Sequence, residues 1–398
     1  MGDNNGVFVR YVSRREFLRK LGLAAASLPA AHMLADHSLA QTPEPVPTVT
    51  PVPPPELTAQ AQAVGGQLDF YSWEGYDFLD ATKKWREEHG VDLKSAYIAS
   101  SDDTPAKILS PAGKGVDVIT YFYAYYQTWT ELGMFTEFSA EEVPNIKTMY
   151  PFFQQGEYWR TPRGSYFGVP LTWLTYVINY RSDLIERPSK WSDLLDAKFK
   201  NKLAIVEDPG ANIIVAATIL GIKTDTMTRK ELEEIKKFLL GLKANAKTIA
   251  PSYGDLSNLL VSGEAVATFV GWAALNVWAA KDGVPVDSVE PEDGIVISID
   301  SYAIPPTCDN RPTALAWCNL MLSPEVQLSV VNDLLTATVR PDVVPMIQDE
   351  KVRNLYAYDT FEAFLQEHKL NMFPPMETTG DRVSYADWMK MWEEVKAE

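Results

Sequence analysis

A two-lobed α/β fold is what this sequence predicts, and three observations lead there. The chain has 398 residues, 46% apolar and 22% charged, an ordinary composition for one large two-lobed domain or two domains rather than a disordered chain. From Leu68 onward, apolar runs of strand length alternate with segments of helical periodicity, the order that builds mostly parallel sheets with helices on both faces. No unit recurs at about 20 to 50 residues, which excludes solenoids and propellers.

Each element follows from its local pattern. Leu68 to Tyr71 reads as the first strand, and Ser72-Trp73-Glu74-Gly75 as the turn that ends it. Phe78, Ala81 and Trp85 recur at three- and four-residue spacing and share one face, which predicts a helix over 77–89 that Gly90 closes. A strand over 91–98, a short helix over 103–109 and a strand over 116–121 complete a βαβαβ opening. A second block begins near Gly168, with strands over 171–173, 176–179 and 202–206. The best-marked helix spans 229–243: Thr228 and Glu231 form a capping box, and Leu232, Ile235, Leu239 and Leu242 lie on one face. The last block reads as a strand over 265–270, a helix over 272–281, a long strand pair or crossover over 295–305 and a helix over 312–322.

The segment ahead of the first strand has a different character. Ser13-Arg14-Arg15-Glu16-Phe17-Leu18 precedes an Ala-rich apolar stretch of about 15 residues, short of the ~20 that a membrane helix needs. Paired arginines before such a stretch read as a twin-arginine export signal over residues 1–40, with a cut after Ala40. Residues 41–66 form a linker whose first part, QTPEPVPTVTPVPPPE, is a proline-rich extended spacer; an uncleaved signal acting as a membrane tether stays open. The expected location is the periplasm or the outer face of the cytoplasmic membrane. Without residues 1–40 the chain keeps 31 basic and 50 acidic residues, a formal charge of -19, which excludes a nucleic-acid surface built on bulk electrostatics.

Little catalytic material remains. Only His89 and His368 survive removal of the signal, and the two cysteines, Cys308 and Cys318, stand ten residues apart, so a disulfide and a buried thiol are both open. No GxSxG, HExxH, Walker loop, GxGxxG after a strand or EF-hand loop is present, and no metal or cofactor is expected. Adjacent acids such as Asp102-Asp103 and Glu207-Asp208 are ordinarily solvated rather than catalytic. Aromatic residues instead collect at strand ends and turns: Tyr71, Trp73 and Tyr76, then Tyr121 to Tyr126, then Trp173 and Trp272.

Seven stretches carry a family likeness in order and spacing: LDFYSWEGY (68–76), GVDVIT with LGMF (115–120, 132–135), FGVPLTWLTYVIN (167–179), KWSDLLDAKFKNKLAI (190–205), SGEAVATFVGWAALNVWAA (262–280), EDGIVISIDSYAIP (292–305) and LSPEVQ (322–327). Through them the chain resembles the bacterial extracellular solute-binding proteins of ABC importers, most closely the spermidine/putrescine-binding branch, over residues 67–398. The resemblance implies a type II periplasmic-binding-protein fold, with lobe 1 from 67–172 and about 302–345 and lobe 2 from 173–301 and about 346–398. It implies a non-enzymatic receptor, expected to be a monomer, that closes on a polyamine-like amine and presents it to ABC permease subunits in the inner membrane.

In that family aromatic rings box the methylene chain and carboxylates hold the ammonium ends. Carried over, Trp73 and Tyr76 match the box, Asp300 the carboxylate that grips an amine, Trp272 an aromatic wall, and Asp208 lies close to a further acid. Tyr123 and Trp173, at strand ends, complete the candidate ligand-binding set, and Glu74 beside Trp73 is a replacement counter-charge. The chain departs from the pattern at Ala211, where the family has a glutamate, at Leu275, where the putrescine type has an acid, at Ser298, where an aromatic is usual, and at Phe122 and Ala124, where polar or phenolic side chains are typical.

The physics agrees independently, since ligands of open α/β sheets bind outside the carboxyl ends of the strands and a tryptophan face near a cation contributes about 0.5 to 2 kcal/mol. Three other readings stay open: a sugar or other organic solute stacked on Trp73 and Trp272, an exported carbohydrate-active enzyme, and a sensory ectodomain on a stalk.

Overall fold

The computed structural model describes residues 63–98, 103–367, 370–376, 378 and 380–398. The expected export signal, the proline-rich spacer, Asp102 and His368 lie outside the described residues. Among the described residues no helix is long and apolar enough to cross a membrane.

Among the described residues eleven strands form two sheets. They are β1 (Gly66–Ser72), β2 (Val91–Tyr97), β3 (Val118–Phe122), β4 (Val169–Thr175), β5 (Ile178–Arg181), β6 (Leu203–Val206), β7 (Ala246–Ala250), β8 (Ala267–Phe269), β9 (Val286–Val289), β10 (Ile297–Ala303) and β11 (Ala337–Thr338). The first sheet runs β11-β4-β10-β3-β1-β2 and the second β7-β6-β8-β5-β9. Eight helices of eight residues or more cover them: α1 (Leu79–His89), α2 (Pro209–Ile219), α3 (Arg229–Asn245), α4 (Tyr253–Ser262), α5 (Ala274–Lys281), α6 (Arg311–Met321), α7 (Pro324–Asp333) and α8 (Tyr385–Ala397).

The two-lobed α/β architecture is as expected, but the sheets are mixed rather than mostly parallel. Parallel pairing is confined to β2-β1-β3 and β7-β6-β8. The reason is the crossover: β4 carries the chain toward the second lobe and β10 brings it back, so β10 enters antiparallel to both neighbours, β3 and β4. Of the two readings left open for 295–305, a strand pair or a crossover, the crossover holds: the segment is this single returning strand. Because β4 and β10 both belong to the first sheet, the chain passes between sheets at 175–178 and again at 289–297.

The parallel strands are buried on both faces, and their sequences show it: all five residues of β3, VITYF, and all four of β6, LAIV, are buried, without the alternation of a one-sided strand. At the foot of the first sheet the buried Asp117 carboxylate accepts the backbone N–H of Asp69 at 2.9 Å, Asp309 at 3.2 Å and Asn310 at 3.0 Å, which ties β1 and the start of α6 to β3. The capping box of α3 forms as expected, with Glu231 Oε2 accepting from Thr228 N at 2.7 Å. Cys318 is a buried thiol in α6 and Cys308 is free, so the disulfide left open by the sequence is absent.

Candidate functional site

Three chain turns and the returning strand bring the site together. After β1, Gly75 takes a left-handed φ of 85°, which a side chain would resist, and the turn closes with Tyr76 N donating to Trp73 O at 3.2 Å. This sends Glu74 outward and Tyr76 inward: Glu74 is exposed, Trp73 and Tyr76 are half-buried. Tyr302 of β10 fastens the turn from beneath, its hydroxyl donating to Tyr76 O at 2.5 Å.

Tyr76 then meets the sequence-predicted aspartate. Its hydroxyl donates to Asp300 Oδ2 at 2.7 Å. Asp300 sits on β10 opposite Phe122 at the end of β3 and Thr172 of β4, at an irregularity in register between Asp300 and Ser301, the kind of local kink that re-aims a side chain. Burial pushes the Asp300 carboxyl up to about 6; the Tyr76 hydrogen bond opposes that rise and the Asp208 charge adds to it. The Tyr76 phenol is raised well above its ordinary value, first by burial and then by the Asp300 charge.

The second lobe supplies the facing wall. Asp208 is the N-cap of α2, its Oδ1 accepting from Ala211 N at 3.0 Å, and burial raises its pKa. Tyr176, on the passage from β4 to β5, and Tyr253, at the start of α4, lie close enough for each phenol to perturb the other, and Ser298 of β10 is a neighbour of Tyr176. Both phenols are raised by burial, and both feel Asp208 and Asp300. The charges of both aspartates therefore reach the same two phenols, and Asp208 reaches Asp300. No ion pair to either is present among the described residues, and no metal-binding cluster of His, Cys, Asp and Glu occurs there.

Trp272 reaches this wall by a strained route. Val270 adopts a left-handed φ of 58°, costly for a β-branched residue, and a Cβ at Gly271 would overlap the Asn179 side chain. Asn179 pins the turn, its Nδ2 donating to Trp272 O and to Asn276 Oδ1, both at 2.9 Å. Trp272 packs against Tyr253 with ring centroids 5.9 Å apart, and its indole N–H is buried without an acceptor.

Three members of the sequence-predicted set stand elsewhere. Trp173 is not a cleft wall: it lies in the middle of β4, donates from Nε1 to Thr338 O at 3.0 Å and stacks on Phe361 with centroids 3.9 Å apart, because the inner face of β4 is core. Tyr123 is fully buried and gives its hydroxyl to Asn371 O at 2.9 Å, reaching the cleft only as a neighbour of Tyr176. Glu74 points to solvent rather than to the aspartates. Glu207 is also accounted for structurally: its Oε1 accepts from Trp392 Nε1 at 2.9 Å and Lys396 Nζ at 2.8 Å, which docks α8. Sequence reasoning missed Tyr176 and Tyr253. The first read as an ordinary strand residue and the second lies in a helix that the sequence reading did not identify.

Two α/β lobes joined where the chain passes between their sheets at 175–178 and 289–297 define a two-lobed fold of the type II periplasmic-binding-protein class. The chain belongs to the bacterial extracellular solute-binding proteins, whose family model matches residues 114–363. It is 24% identical over 269 residues to the spermidine/putrescine-binding periplasmic protein of Salmonella typhimurium, covering 67% of this chain and 76% of that one. It is also 24% identical over 355 residues to the putrescine-binding periplasmic protein SpuD of Pseudomonas aeruginosa, covering 84% and 94%. In fold it superposes on the spermidine/putrescine ABC transporter substrate-binding protein PotD of Streptococcus pneumoniae with a TM-score of 0.66 at 18% identity, over 83% of this chain and 98% of that one. These relatives are receptors for transport and not enzymes.

Proposed function

We propose that the chain is an exported receptor of an ABC importer that captures a small organic cation of the polyamine type between its two lobes and presents the closed form to the permease. The observation that carries this is Asp300. Its carboxylate is held by the Tyr76 hydroxyl at 2.7 Å, is bound to no arginine or lysine among the described residues, and shares its cleft with Asp208, Tyr176, Tyr253 and Trp272. A buried carboxylate without a counter-charge is an unfilled cation position. Trp73, Tyr76 and Trp272 supply faces for the methylene stem.

Ala211 and Leu275, both buried, stand where the branch has acids. Ala211 donates its N–H to Asp208, and Leu275 belongs to the apolar face of α5. The cleft thus grips one ammonium strongly through Asp300 and a second, where present, through Asp208 alone. The acceptor-less indole N–H of Trp272 favours, as a second reading, an amine that also carries a hydroxyl or carboxylate oxygen.

The test is a thermal-shift screen against putrescine, spermidine, ω-amino acids, sugars and organic acids, since a ligand that binds only the folded state raises Tm. A shift with an amine that disappears in Asp300→Asn supports the reading. A shift with sugars alone, unchanged in Asp300→Asn, removes it.

A further inference from the structure

A short segment near the end of the chain, 371–375, is tied to both lobes. On the side of the first sheet, Tyr123 Oη donates to Asn371 O at 2.9 Å and Phe373 N to Ala124 O at 3.1 Å. On the side of the second, Asn371 Nδ2 donates to Thr218 Oγ1 at 2.8 Å and Met372 N to Thr224 Oγ1 at 3.0 Å. Thr218 lies in the last turn of α2 and Thr224 just beyond it. These bonds fix the backbone of Phe373 at the junction of the lobes, and the two prolines after it stiffen the exit.

The Phe373 ring is buried, with its centroid 4.3 Å from that of Tyr125, 5.9 Å from Phe122 and 5.6 Å from Trp388. Two of its contacts lead to the aspartates. Phe122 is the register partner of Asp300, and residues directly opposite in an antiparallel pair project from the same face of the sheet, so the Phe122 ring and the Asp300 carboxylate stand side by side. From the other lobe, Gly210 of α2 meets the ring: a Cβ there would overlap Phe373 and would stand 3.7 Å from Asp208 Oδ1. Only a glycine lets the ring come so close to the start of that helix. Phe373 therefore abuts the helix end that carries Asp208 and packs edge-on against the ring beside Asp300.

We propose that the Phe122–Phe373 pair is a specificity-determining wall, which restricts the receptor to an amine with a short stem, a diamine or smaller, and rejects a triamine. The inference rests on the amine reading of the cleft. The charge of Asp208 reaches Asp300, so the two acids stand near enough to share one short cation. The wall fills the space beside them with rings that offer no hydrogen-bond acceptor, and a third ammonium placed there would lose its water without gaining a counter-charge. Nor can the wall swing aside, because Tyr125, Tyr385 and Trp388 pack around Phe373 and its backbone is bonded to the first lobe while its neighbours hold the second. The sequence marks half of this wall, since Phe122 stands where the family has polar or phenolic side chains.

The test is calorimetric titration of the full chain with putrescine and with spermidine at pH 8, where Asp300 is ionised. The wild type should bind putrescine at least about tenfold more tightly than spermidine. Phe373→Ala, and the milder Phe373→Leu should the first not fold, narrow that ratio through a gain in spermidine affinity; a packing role alone would weaken both ligands alike. Spermidine bound by the wild type as tightly as putrescine, or a ratio that neither substitution moves, overturns the proposal and leaves the amine receptor standing. Absence of binding of either amine, or binding indifferent to Asp300→Asn, removes the amine reading and this inference with it.

Discussion

At the scale of single residues, the chemistry turns on the environment of Asp300. An acid that binds its proton more tightly folded than unfolded makes the folded state less stable as pH rises through the interval between the two pKa values. For Asp300 that interval runs from about 4 in the unfolded chain to about 6 in the fold. Stability from this group is therefore greatest below about pH 4, declines toward pH 6 and is level above. Asp300→Asn, which keeps the shape without the charge, should raise the Tm of the ligand-free protein at pH 8, and the gain should vanish at pH 4. An equal gain at both pH values would show that the charge is not what the site bears. Binding has the opposite dependence: an amine needs the ionised form, so its affinity should fall about tenfold per unit below pH 6.

Trp173 provides the contrast within the same set of candidate residues. Buried and stacked on Phe361, it is a packing residue, and Trp173→Ala should cost about 3 to 5 kcal/mol in denaturant unfolding while the ligand profile of the surviving fold stays the same. From sequence the two tryptophans look alike, each at the end of an apolar run. What separates Trp272 is the backbone behind it, since Val270, Gly271 and Asn179 meet only in three dimensions.

At the scale of elements, Asp208 performs two tasks that substitutions can separate. It caps α2 through Ala211 N, and its charge raises the pKa of Asp300. Asp208→Asn should keep the cap and lower the pH at which amine binding sets in. Asp208→Ala should lose about 0.5 to 2 kcal/mol of stability as well. If both variants leave that pH midpoint where it is in the wild type, the two acids do not share a cleft.

Legibility at this scale followed periodicity and caps. The helix over 229–243 was readable because its capping box and apolar face are local, and it extends only to Asn245. The opening β1–α1–β2 was readable for the same reason, with Gly90 in the left-handed cap. α2, by contrast, is apolar on every side, PGANIIVAATI, so no stripe marks it, and eight of its residues are buried. Strand direction was not legible either, because nothing local in IVISIDSYAI says that β10 returns from the other lobe. The aspartate pair and the turn tyrosine were found through the family pattern; Tyr176 and Tyr253 carry no local signal beyond being aromatic.

At the scale of the whole molecule, the proposed ligand residues come from both lobes, and a ligand that touches both favours the closed state only by binding it better than the open one. Small-angle scattering should therefore show a smaller radius of gyration with a saturating amine ligand, and no change in Asp300→Asn under the same conditions. Unchanged scattering in the presence of demonstrated binding would mean that the lobes do not move.

The insertion of one lobe within the other has a further consequence for synthesis. The strands of the second sheet occupy a continuous run, 178–289, whereas the first sheet lacks its inner strand until Ile297–Ala303 is made and its edge until Ala337–Thr338. At about 5 to 20 residues per second, the ribosome completes the later lobe's strands before the earlier lobe can close. Until then β3 and β4 have no strand between them, and Tyr76 waits beside a place where Asp300 has yet to arrive. A chain halted after Asp293 would hold every strand of the second sheet and a first sheet split down its middle, with two open edges ready to pair with a neighbouring nascent chain.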